Sequence, residues 1–201
     1  MQEPASTHSS LIFATHNNHK LEEVSQLIGS GIKLLSLTDM GIHDEIEENG
    51  DSFEENALIK SKFIYKQTGK NCFSDDSGLV IDSLAGAPGI FSARYGGSRD
   101  MKKNLELVLH NMVGQVIRTA HFICVICLMV GDEPVFFSGK IEGVILNEPM
   151  GHTGFGYDPI FRPDGYELSF AQMDAGIKNT ISHRALAMQA LNTYLRNHYL
   201  L

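Results

Sequence analysis

The chain is 201 residues long, enough for one sizeable domain with its own core. Hydrophobic residues make up 43% of it and charged residues 20%, which excludes global disorder. A net charge of -8 argues against a nucleic-acid coat, which binds by neutralising phosphates, and no apolar run approaches the ~18 residues of a membrane-spanning helix.

Residues 1–10 have no basic and no apolar stretch of the kind a signal peptide needs, so they read as a disordered leader and the chain as cytoplasmic. Residues 11–15 form a short apolar strand that opens into the polar run Thr15-His16-Asn17-Asn18-His19-Lys20. A helix over 20–28 follows, with Leu21, Val24, Leu27 and Ile28 on one face, and Gly29-Ser30-Gly31 ends it. Residues 32–37 are a second strand, and 43–50 are acidic and irregular. Ser52 and Glu55 make a capping box for a helix that runs to about Thr68 and stops at Gly69.

Residues 72–74 and 79–81 read as strand pieces on either side of an acidic turn, Asp75-Asp76-Ser77-Gly78. Residues 85–89 are a loop and 100–112 a helix. Two long strands, 119–130 and 134–145, pair across a Gly131-Asp132 turn. Residues 150–157 form a glycine-rich loop, 158–161 a short strand and 182–198 a terminal helix. Helices follow the early strands and an antiparallel pair fills the middle, so the fold class is α/β or α+β with a mixed sheet. Cys72, Cys124 and Cys127 are too few for a disulfide framework. Cys124 and Cys127 lack the second ligand pair of a zinc site and read as buried structural thiols in a strand.

Four segments carry chemistry. The run from Thr15 to Lys20 joins a strand to a helix N-terminus, where free N–H groups and the helix dipole suit phosphate. Lys20 adds a charge there, and Thr15 and Asn17 add donors. Glu45, Glu47 and Glu48 with Asp75 and Asp76 supply the hard oxygens that magnesium takes, usually one or two carboxylates with water and phosphate completing the shell. Adjacent acids between apolar strand pieces are costly unless a cation sits there. In Gly154-Phe155-Gly156-Tyr157-Asp158 two glycines let backbone approach a ligand, Phe155 offers a stacking face and Asp158 an acceptor. In Lys178-Asn179-Thr180-Ile181-Ser182-His183-Arg184, Ser182 is a natural N-cap. His183 and Arg184 then oppose the helix dipole, which points to an anionic or polar ligand.

Together these stretches resemble the Ham1-like family of house-cleaning inosine/xanthosine triphosphate pyrophosphatases, from Leu11 to Tyr194. The resemblance rests on 13–20, on Phe53-Glu54-Glu55-Asn56-Ala57 with Lys60, on 75–79, on 86–95, on 154–161 and on Ser182-His183-Arg184, in that order. It implies a long twisted mixed sheet with flanking helices, folded as a single two-lobed domain over 11–201 around a central cleft, and a homodimer. It implies Mg²⁺-dependent hydrolysis of ITP, dITP and XTP to the monophosphate and pyrophosphate. Under it Asp76 is the catalytic base or water-orienting carboxylate and faces the metal, with Glu48 and Glu47 in support. Thr15, Asn17, Lys20 and Lys60 hold the triphosphate, with Ser77 close by, and His16, Asn18, His19 and Arg94 are further substrate-binding residues. Phe155, Gly156, Tyr157, Asp158, Lys178, His183 and Arg184 hold base and sugar. The family's first motif commonly has glycine where this chain has His16 and His19, and a histidine there is strained where φ is positive. Two other readings remain: a Maf-like pyrophosphatase for modified pyrimidine nucleotides, and a non-catalytic nucleotide sensor. Neither a nucleic-acid nor a membrane partner is expected.

Overall fold

The computed structural model describes residues 9–199. Of the leader expected over 1–10, residues 1–8 lie outside the described residues, and Ser9 and Ser10 already belong to the first strand. Six strands form one mixed sheet in the order β2-β1-β3-β4-β5-β6. β1 (Ser9–Phe13) runs parallel to both β2 (Ile32–Ser36) and β3 (Cys72–Ile81). β4 (Thr119–Val130), β5 (Glu133–Ile145) and β6 (Phe161–Pro163) continue the sheet antiparallel.

Strand alternation sorts the core. Along β4, Cys124, Ile126 and Leu128 pack with Val24 of α1 (Asn18–Leu27) and Leu191 of α5 (His183–Tyr199). Val125, Cys127 and Met129 pack with Ala57 and Ile64 of α2 (Phe53–Thr68) on the opposite face. Cys124 and Cys127 therefore point to opposite sides of the sheet. Burial pushes the Cys124 thiol up to about 12 and Cys127 to about 11, so both are inert structural thiols, as expected. A third cluster gathers Leu105 and Val108 of α3 (Met101–Asn111) with Phe122, Phe161 and Phe170.

The helix ends follow local chemistry. Asn17 caps α1 through Lys20 N–H, and Ser52 caps α2 through Glu55 N–H. Glu55 returns to Asp51 N–H, one residue earlier than the expected capping-box partner. Gly69 closes α2 in the left-handed conformation, at φ 63°.

Three expectations need correction. Residues 75–78 are no turn: β3 pairs with β4 residue for residue from Cys72 opposite Met129 to Ile81 opposite Ala120. The long partner strand offers an unbroken ladder, and Gly78 is needed there for close approach. A Cβ on it would lie 2.4 Å from the carbonyl oxygen of Gly89 and 2.6 Å from Ser92 Oγ. Residues 158–160 form a 3-10 turn, and the strand comes after it, at Phe161–Pro163. Finally, a short helix, α4 (Ala175–Ile181), precedes the terminal one, capped by Asp174 on Gly176 N–H. Gly176 and Thr180 are poor helix formers, which hid it from the periodicity.

Gly78→Ala is expected to displace the Gly89–Arg94 segment and to lower stability by about 1–3 kcal/mol. A urea titration should show a lower midpoint with an unchanged slope. A midpoint equal to that of the parent protein would mean the segment gives way freely.

Candidate active site

A cleft of about 550 Å³ opens over the middle of β3. Successive residues of a strand face opposite sides of the sheet, so Asp75 and Asp76 are adjacent in sequence yet serve different surroundings. Asp75 shares its side with Phe73 and meets α1 and α5; Asp76 meets α2.

Asp75 is buried, at 2% exposure. Its Oδ1 accepts from Lys20 Nζ at 3.0 Å, and its Oδ2 accepts from Arg184 Nε at 3.2 Å and Nη2 at 3.1 Å. Burial pushes this carboxyl upward, but Lys20, Arg184 and Lys60 overcome that and hold it well below the usual carboxylate range. Arg184, also 2% exposed, extends the network. Its Nη1 donates to Glu23 at 2.5 Å and its Nη2 to Ser77 Oγ at 2.9 Å. Glu23 also accepts from Lys178 Nζ at 2.8 Å, and the same ammonium donates to Asp158 Oδ2 at 2.7 Å. Charges alternate from Asp75 through Arg184, Glu23 and Lys178 to Asp158. Four of the five guanidinium N–H groups of Arg184 are thus committed inside the protein.

Asp76 is different. Its Oδ1 accepts from Ser77 N–H at 3.0 Å and lies 3.6 Å from Lys60 Nζ, which is 3.4 Å from Glu48 Oε1. Its Oδ2 is buried and has no hydrogen-bond partner. Burial raises its pKa, Lys60 and Lys20 only partly offset that, and Glu48 and Asp75 add to it. An acid poised upward with an unfilled acceptor suits a base or a metal ligand.

Among the described residues no three His, Cys, Asp or Glu side chains form a metal cluster. Magnesium does not need one, since one or two carboxylates suffice when substrate phosphate and water complete the shell. Asp76 and Glu48, already gathered by one ammonium, fit that pattern. Glu45 also lines the cleft, whereas Glu47 is exposed and absent from its lining.

The strand-to-helix junction borders the same cleft, through Thr15, His16, Asn17, His19 and Lys20; Asn18 is exposed outside it. Asn17 N–H donates to Thr15 Oγ1, and His16 Nε2 donates to the Asp44 carbonyl at 3.0 Å. Neither histidine is strained: among the described non-glycine residues only Ala85 has positive φ.

On the far side, Gly154 lets the loop wrap Asp158. A Cβ on it would lie 2.2 Å from Asp158 Oδ2, the oxygen that also accepts from Phe155 N–H at 2.8 Å. Lys178 Nζ and the Arg184 guanidinium lie 5.5 and 5.7 Å from the centroid of the Phe155 ring. Gly156 and Tyr157 line the cleft, but the Tyr157 hydroxyl is committed to the Ser92 carbonyl. Arg94 lines it too and donates to the Glu48 carbonyl at 3.1 Å. His183 stacks on Phe122 and its buried Nδ1 has no partner. Burial, with Arg184 and Lys178 nearby, drives its pKa far down, so the ring is neutral. Ser182 caps α5 as expected, through Ala185 N–H.

Sequence reasoning missed Glu23 and Arg99. Glu23 stands three residues after Lys20 on the same helix, a spacing that puts both toward one side. Arg99 lines the cleft from a stretch with no motif to mark it.

Residues 11–194 match the Ham1 family. The chain belongs to that family. It is 46% identical to a dITP/XTP pyrophosphatase of Christiangramia forsetii, over 92% of this chain and 98% of that one. Against the dITP/XTP pyrophosphatase of Bacillus subtilis it is 42% identical, over 92% of this chain and 96% of that one. The Ham1 protein structure of Staphylococcus aureus matches with a TM-score of 0.86 at 34% identity, covering 94% of this chain and 99% of that one. A HAM1 protein of Coxiella burnetii gives 0.86 at 39%, with the same coverage.

The two acids of this Ham1 chain should respond oppositely to neutralisation. Asp75→Asn takes the anion from half-buried Lys20 and leaves buried Arg184 with Glu23 alone, and is expected to cost about 3–5 kcal/mol. Asp76→Asn removes a carboxylate whose charge is disfavoured, so its melting temperature should stay level or rise. The pH dependence has matching signs. The depressed pKa of Asp75 stabilises the fold above the ordinary carboxylate range, and that contribution fades as pH falls. The raised pKa of Asp76 stabilises at low pH and is lost as pH rises through its folded value. Thermal melts of both variants check this; equal losses would contradict the split.

Proposed function

We propose that this chain hydrolyses ITP, dITP and XTP to the monophosphate and pyrophosphate, using Mg²⁺, and so clears them from the nucleotide pool. The observation that carries the reading is Asp76, a carboxylate of raised pKa with an unfilled oxygen, in a cleft shared with the α1 N-terminus and with Phe155. The names of the relatives, dITP/XTP pyrophosphatases, support the substrate.

The α1 N-terminus, with Thr15, Asn17 and Lys20, receives the phosphates, and Lys60 meets them from α2. Asp76 and Glu48 would hold the Mg²⁺. When bound, that ion offsets charge developing on the phosphate oxygens. Asp76 orients a water toward the α-phosphorus and accepts its proton. The base lies by Phe155, Lys178 and His183. Hypoxanthine and xanthine present a keto acceptor at position 6, where adenine presents an amino donor. Arg184 has little left to give, so the donors are the remaining N–H of Lys178 and, in its Nδ1-protonated tautomer, His183. Facing adenine, these would lose their acceptor, which disfavours ATP. Residues 11–201 act as one two-lobed domain, in a cytoplasmic homodimer; both follow from the family resemblance. No described helix is long and apolar enough to cross a membrane.

A pyrophosphate-release assay across nucleotides, with and without Mg²⁺, tests the reading. The expected result is turnover of dITP, ITP and XTP at least about 100-fold above ATP, and only with metal. Asp76→Asn should lower kcat by about 100- to 10,000-fold. Preference for modified pyrimidine triphosphates would turn the reading toward a Maf-like enzyme. Tight binding without release would make the protein a sensor.

A further inference from the structure

His19 does something the other polar residues of its loop do not. Its ring lies nearly parallel to that of Phe155, with centroids 5.2 Å apart and planes 11° from parallel. Both line the cleft beside Lys178, His183 and Arg184. His19 stands at the second position of α1, within the segment whose backbone and whose Lys20 suit phosphate. Its ring nevertheless faces the opposite wall.

The contrast with His16 is informative. His16 is tied by a hydrogen bond to the Asp44 carbonyl. His19 is exposed, and among the described residues its ring makes no hydrogen bond and no ion pair. An exposed side chain held only by stacking changes rotamer readily. Phe155 is held more firmly, because its backbone N–H is anchored on buried Asp158 and its ring also meets the buried cations Lys178 and Arg184. The pair is therefore one fixed aromatic face and one movable one. Separating them by about one ring thickness, ~3.5 Å, leaves a slot for a flat heterocycle.

We propose that His19 is the movable half of a base clamp, and that the purine of the bound nucleotide lies between His19 and Phe155. This rests on the reading of the cleft as a purine nucleotide site, and it gives His19, expected only as a substrate-binding residue of the phosphate loop, a place at the base. The contact between the two rings in the free protein keeps the slot closed until a base enters. A stacked imidazole does not read the 6-substituent, so the clamp strengthens binding of inosine and xanthosine nucleotides alike. It grips ground state and transition state equally, so it acts on KM and not on kcat.

The test compares the parent protein with His19→Ala and His19→Phe, using dITP and XTP as substrates and inorganic tripolyphosphate as a competitor without a base. The expected result for His19→Ala is a KM about ten-fold higher for both substrates, with kcat within about two-fold. His19→Phe should restore KM, since it keeps the aromatic face. Inhibition by tripolyphosphate should be the same in all three. An unchanged or lower KM in His19→Ala overturns the clamp and makes the ring a plug. Tripolyphosphate inhibition that weakens in step with KM overturns it too, by returning His19 to the phosphates. Melting temperatures identify a variant that is merely misfolded, and KM recovery in His19→Phe then decides. The outcomes separate from the parent reading: an active parent with an indifferent His19 sinks the clamp alone, while a parent inactive on dITP sinks both.

Discussion

Asp75 sits inside a strand that is covered on both faces, where an unpaired carboxylate would be very costly. It is tolerated because two cations reach it, and they come from far apart in the chain. Lys20 is 55 residues away in sequence and Arg184 is 109. A buried pair is weak evidence of net stability, since desolvation opposes the attraction. What it fixes is position. For Asp75 to be satisfied, α1 must present Lys20 and α5 must present Arg184 to the same carboxylate. Glu23 then locks Arg184 to Lys178, and Lys178 reaches Asp158 under the Phe155 loop. Five separate segments, β3, α1, α4, α5 and the Phe155–Asp158 loop, are brought around one cleft by a single line of alternating charge.

That line also explains a local conflict. Arg184 lies in the first turn of α5, where the helix dipole disfavours a cation. Asp75 and Glu23 outweigh the dipole, because they touch the guanidinium directly and water is excluded. Only a buried anionic surrounding keeps such a residue there. The neighbouring His183 has no such pairing and resolves the same conflict by staying neutral.

Much of the fold was legible because its signals are local. The Ser52 and Ser182 caps, the Gly69 stop and the long hairpin across Gly131-Asp132 are each set by a few adjacent residues. The acidic segment was legible as chemistry and misread as geometry. Two acids, a serine and a glycine have the composition of a turn, whereas their strand conformation is dictated by β4 and by cations from distant helices. Glu23 was overlooked for a related reason: only its spacing from Lys20 marks it locally, and its partners are 155 and 161 residues away. The helix α4 escaped because Asp174 caps only seven residues, too few to show a period.

The charge balance of the cleft bears on the metal. Among the described residues the ion pairs fall into two groups: Lys20, Arg184 and Lys178 balance Asp75, Glu23 and Asp158, whereas Lys60 alone faces both Glu48 and Asp76. The second group has one cation for two carboxylates, so it is the one left short of positive charge. Lys20 and Lys60, the lysines proposed to receive the triphosphate, already serve carboxylates. An incoming polyanion must compete with Asp75 for Lys20 and with Glu48 and Asp76 for Lys60. Release of those lysines leaves carboxylates facing phosphate, which repel at short range. A divalent cation held by Asp76 and Glu48 would remove that repulsion and free Lys60 to turn toward substrate. Under the proposed function, carboxylates placed this way would favour the polyanion and its counterion together over either alone, as a site for a metal-bound nucleotide requires.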